Sequence, residues 1–127
     1  MNTEKVIFAF FIVLALTLNF GFFVGDITNP LHHNIYELFA AIVVSLIATV
    51  MKFGDRTHMG AVLLATSLVA DLQLIIAALI WAWMSNISTV GLDESSIVSI
   101  VSLSGGALLA NILSVTLLTV ETVMIRR

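Results

Sequence analysis

Four long stretches of this chain are almost continuously apolar, and short polar segments separate them. They run from about Lys5 to Gly25, Ile35 to Phe53, Met59 to Met84 and Ser96 to Ile125. None shows the strict every-other-residue alternation of a half-buried strand. About 20 apolar residues in a helix span the hydrocarbon of a bilayer. In lipid, backbone N–H and C=O groups find no water, so only helices or closed barrels cross. Continuous apolar runs select helices. The pattern predicts an all-α integral membrane protein with four spans.

The connections are short. Asp26–Asn34 holds the only proline, Pro30. In the second connection Gly54 is placed to end a helix and Thr57 to cap the next. The third, Ser85–Ser95, ends in Asp93-Glu94-Ser95, a helix-start signature. Short loops make sequential helices antiparallel neighbours.

Charge adds orientation. Lys5, Lys52, Arg56, Arg126 and Arg127 all fall on one predicted side. The positive-inside rule assigns that side to the cytoplasm, with both termini there. Asp26, Glu37, Asp93 and Glu94 fall on the other side. Tyr36, Trp81 and Trp83 also gather there, as interfacial aromatics do. Small multidrug exporters and fluoride channels are four-helix proteins of similar length, but weak charge bias and dual insertion are common among them. The five-to-none split here argues against both.

Composition closes off other classes. The chain has 127 residues, 60% hydrophobic and 10% charged, with mean hydropathy +1.13. A soluble domain carries about 25% charged residues. One membrane domain over residues 1–127 is expected, with no room for a soluble catalytic domain. The first apolar run is longer than a signal-peptide core and lacks an A-x-A-like site, so it reads as a retained span. Without cysteine there is no disulfide or thiolate chemistry. No basic cluster suggests nucleic acid. No metalloprotease, phosphate-loop or nucleophile-elbow motif appears, so neither enzyme activity nor a cofactor is expected.

The polar residues inside the spans carry the candidate chemistry. Asp71 falls near the bilayer midplane, where a carboxylate costs about 2.5–3.5 kcal/mol on insertion scales. Ser67 lies one turn earlier on the same face. The two readings are an ion or proton site beside a wet cavity, and a hydrogen-bonded acid bracing helices. Gln73 and Thr66 lie on nearly the opposite face, so the third helix is expected to touch protein on both sides, which favours a homo-oligomer. In the second span Glu37, Ala41, Val44, Ser45, Ala48 and Lys52 form a stripe with an acid at one end and a base at the other. Facing an oligomer axis, Glu37 would form an acidic ring that attracts cations. Locally, Asn34 to Glu37 also has the spacing of a capping box. In the fourth span Ser102, Gly106, Ala110 and Ser114 recur every four residues, the small-residue pattern of close helix packing. Glu121 falls near the inner surface, within reach of Lys52, Arg126 or Arg127. The aromatic first span, with Asn19 its one polar buried candidate, reads as a peripheral helix. His32-His33 read as a solvated loop, and Asn86-Ile87-Ser88 matches a glycosylation acceptor.

The run His33–Ala41, the turn Lys52–Thr57 and the stretch Leu64–Gln73 together resemble a family of small four-helix bacterial inner-membrane proteins whose function is uncharacterised. The resemblance implies a bacterial inner membrane and brings no catalytic residues. The outer acid and inner base are also similar to those of animal calcium-selective four-helix channels, by analogy alone.

The expected function is therefore a homo-oligomeric channel for small cations, with Glu37, Asp71, Ser67, Ser45, Lys52 and Glu121 along the pathway. Ser102, Gly106, Ala110, Ser114 and Gln73 would pack helices. The runners-up are a non-transporting membrane subunit and a proton-coupled transporter.

Overall fold

The computed structural model describes residues 3–25, 33–86, 91 and 93–126. Four helices make up the fold: α1 (Thr3–Phe23), α2 (Ile35–Lys52), α3 (His58–Asn86) and α4 (Glu94–Arg126). Each is long and apolar enough to cross a membrane. This is a multi-pass membrane architecture. At 1.5 Å per residue, α2 is about 27 Å long and α4 about 50 Å. The longer helices therefore tilt or reach into the headgroups.

The helices close into a square. α1 packs on α2, α2 on α3, α3 on α4, and α4 back on α1. A seven-residue repeat explains the closure. Buried positions are Phe8, Ile12, Ala15, Asn19 and Phe22 on α1, and on α2 Leu38, Ala41, Ser45, Ala48 and Lys52, with Thr49 beside that seam. On α3 they include Gly60, Leu63, Ser67, Ala70, Leu74 and Ala77, and on α4 Ile97, Ile100, Ser104, Ala107, Asn111 and Ser114. Steps of three and four alternate on every helix, the spacing that keeps one seam on the partner helices in a left-handed bundle. α1 is thus one full side of the square rather than a peripheral helix. Phe10 and Phe20 face outward, while Phe8 and Phe22 are core.

The helix ends follow local chemistry. Asn34 Oδ1 accepts the Tyr36 N–H at 2.8 Å and caps α2. The other half of the expected capping box does not form, because the Glu37 side chain lies on Gly21 of α1. A Cβ on that glycine would stand 2.1 Å from Glu37 Oε2. Thr57 Oγ1 accepts the Gly60 N–H at 2.9 Å and caps α3. Asp93 Oδ1 accepts the Ser96 N–H at 2.8 Å and caps α4. α2 stops at Lys52 with Phe53 in right-handed conformation, and the positive-φ glycines are Gly25 and Gly91. Gly54 therefore does not supply a left-handed helix stop.

Candidate functional site

Asp71 is the 14th of the 29 residues of α3, so its carboxylate lies at mid-depth in the bundle. It points at α2. Ser45 Oγ donates to Asp71 Oδ1 at 2.5 Å, and Thr49 Oγ1 lies 2.5 Å from Oδ2. Thr49 Oγ1 is also 2.9 Å from the Ser45 carbonyl oxygen. Ser45 and Thr49 are one turn apart, so two neighbouring hydroxyls on one helix face meet the two oxygens of one acid. All three residues are buried. Ala48 and Ala70, both fully buried, lie one residue from Thr49 and Asp71, and small residues of this kind suit close helix packing in membranes.

Two further polar pairs lie on either side of that depth. Asn19 Nδ2 donates to the Ser104 carbonyl at 3.2 Å, and Ser104 Oγ donates to Asn19 Oδ1 at 2.6 Å, tying α1 to α4. Thr66 and Ser114 hydroxyls meet at 2.6 Å and tie α3 to α4. Among the described residues three side chains hold buried polar atoms with no protein partner: Ser67 through Oγ, Gln73 through Oε1, and Asn111 through both its amide nitrogen and oxygen. Ser67 and Asn111 are fully buried. Thr66 lies against Ser114, and Gln73 against Gly106. On antiparallel helices those two contacts put Asn111 at the depth of Leu68–Val69, within about one turn of the depths of Ser67 and Asp71.

At the end of the bundle formed by the α2–α3 turn, Lys52 is largely buried. Its Nζ lies 3.4 Å from Asp55 and 4.2 Å from the centre of the Phe8 ring. Glu4, Lys5, Phe8, Met51, Lys52 and Asp55 line a pocket of about 200 Å³ there. Asp55 Oδ1 accepts from the Thr57 hydroxyl and N–H, which holds its carboxyl below the ordinary carboxylate range, with Lys52 adding to the effect. At the other end the carboxyl of Asp93 is likewise lowered by its bonds from Ser96.

The sequence-predicted residues therefore divide. Ser45, Asp71 and Ser67 share one mid-depth site, and Thr49, its fourth member, was not among the expected residues. Its signal was present: Thr49 is four residues after Ser45 and so only about 40° round the helix. Glu37 and Lys52 lie at opposite ends of the same α2 face, but that face looks into its own bundle and not towards an oligomer axis. Glu121 lies 3.9 Å from Lys5 of α1, not beside Lys52. Gln73 and Thr66 face α4, while Asp71 faces α2. The protein contacts on both sides of α3 are thus made with helices of its own protomer. The fourth-helix stripe turns out to spiral: Ser102 is exposed, Gly106 and Ala110 half-buried, and Ser114 buried. His32, Pro30 and most of the glycosylation-like triplet lie outside the described residues.

Residues 32–122 match a family described as a family of unknown function, DUF6394. The match takes in α2, α3 and most of α4, about seven-tenths of the chain. This chain belongs to the DUF6394 family. The DUF6394 stretch contains Ser45, Thr49, Ser67, Asp71 and Asn111, whereas α1 precedes it. The mid-depth site therefore lies wholly inside the family's region, with α1 adding the fourth wall. No curated protein and no solved structure matches the chain.

Proposed function

We propose that this protein conducts small cations across a membrane, using Asp71 as the mid-membrane site within each protomer. One observation carries this: a buried acid at mid-depth is met by a hydroxyl on each of its oxygens and by no fixed cation among the described residues. Intramembrane acids of this kind mark ion and proton pathways. Ser67 and Asn111 add unpartnered buried polar atoms within about one helical turn of its depth, which supports a path for water or ions beside the acid. Glu37 would gather cations at one end, and the pocket at Lys52 and Asp55 would receive them at the other. The basic end faces the cytoplasm of a bacterial inner membrane in this reading, since Lys5, Lys52 and Arg56 all lie there.

The test is flux in liposomes holding purified protein. Wild type should dissipate an imposed cation gradient, and Asp71→Asn, which keeps the shape but not the charge, should not. Equal flux from the two proteins would remove Asp71 from the pathway.

A second reading, a non-transporting subunit, is favoured by the groove between α3 and α4. Gln73, Gly106, Leu109 and Ala110 line it on the outer face, with Gln73 Oε1 unpartnered. Such a protein would be inert alone and would copurify with another membrane protein.

A further inference from the structure

The Asp71 site has bonding room for one proton beyond those its two hydroxyls carry. Ser45 Oγ spends its proton on Asp71 Oδ1. Thr49 Oγ1 has one proton but two acceptors at bonding distance, the Ser45 carbonyl at 2.9 Å and Asp71 Oδ2 at 2.5 Å. With the acid ionised, one of those contacts sets lone pair against lone pair. A proton on Oδ2 closes both: Oδ2–H donates to Thr49, and Thr49 donates to the carbonyl.

We infer that the cation handled here is the proton, carried on Asp71 Oδ2 and passed through water held by Ser67 and Asn111; this rests on the cation-conducting reading above. On release, the proton goes from Oδ2 to a water oxygen. The Thr49 hydroxyl then turns from the Ser45 carbonyl to the carboxylate, and the reverse swing accompanies reprotonation. No bond other than these O–H bonds changes. Asn111 suits water, because its amide both donates and accepts, whereas a metal ion uses only the oxygen. Ser67 lies one turn from Asp71 on the same face, within a water's span of it. The ionisable groups on the neighbouring helices, Glu37 and Lys52 of α2 and Glu94 and Glu121 of α4, stand towards the helix ends, and no described ion pair reaches Asp71.

The test compares ions and reads the acid directly. Liposomes with wild-type protein are given a proton gradient, then separately sodium and potassium gradients. Protons should cross and the metal ions should not. Thr49→Val should slow proton flux by about tenfold or more, and Thr49→Ser should restore it. Infrared spectra should show a protonated-carboxyl C=O band that Asp71→Asn lacks, that Thr49→Val shifts and that Asn111→Leu perturbs. Sodium or potassium flux that depends on Asp71, without proton flux, would overturn the proton assignment and keep the cation-conducting reading. Absence of flux for every cation would overturn both. Normal proton flux and an unmoved band in Thr49→Val would overturn the relay.

Discussion

At the scale of single residues, the energetics turn on leaving polar atoms unpaired. Hydrogen bonds between membrane helices average about 0.6 kcal/mol, because the separated helices also find partners. A buried acceptor stripped of its donor costs more, about 1–3 kcal/mol. Ser45→Ala strands Asp71 Oδ1 and should lower thermal stability in detergent by about 1–2 kcal/mol. The double change Ser45→Ala with Asp71→Leu removes both partners and should recover much of that loss. A double variant no more stable than Ser45→Ala would mean that the clasp is not the origin of the effect. The acid itself was legible in the sequence, because a charge at mid-span needs polar company whether it conducts or braces. Its partners were not. Ser45 lies in the expected α2 stripe and Thr49 beside it, but nothing in one helix's sequence says which neighbouring helix a face will meet.

At the scale of helices, starts and crossings were unequally readable. Asn34, Thr57 and Asp93 act as the caps their residue types predict, since capping is local chemistry. Asp93→Ala should lower the melting temperature of the bundle, because the Ser96 N–H loses its cap. The turn between α2 and α3 should respond to acid. Asp55 is held below the usual carboxylate range in the folded chain, so its contribution is complete above the unfolded carboxylate value. That contribution is lost as pH falls through the lowered value. The wild-type stability profile should therefore fall more steeply in that acidic window than that of Asp55→Ala; parallel profiles would count against the turn. The packing faces were less legible. In lipid the outer surface is as apolar as the core, so amphipathic contrast vanishes. The four-residue spacing from Ser102 to Ser114 drew attention, yet each such step drifts about 40° round the helix. The seam that does pack alternates threes and fours through Ser104, Ala107, Asn111 and Ser114.

At the scale of the whole molecule, the polar groups of the spans gather inside a single protomer. The α2 stripe faces inward, both polar faces of α3 are covered by its own neighbours, and the DUF6394 region encloses the mid-depth acid with its hydroxyls. Four spans were plain from length and hydropathy alone. Their closure into a square, with the polar band at its centre, depends on register between helices and was not. The central claim is that each copy holds a complete cation site. Counting copies tests it most directly: protein is diluted into vesicles until most hold one chain or none, and the fraction of vesicles that pass cations is measured. That fraction should follow the fraction holding at least one chain. Conduction confined to vesicles with several copies, or absent at every density, would contradict the account.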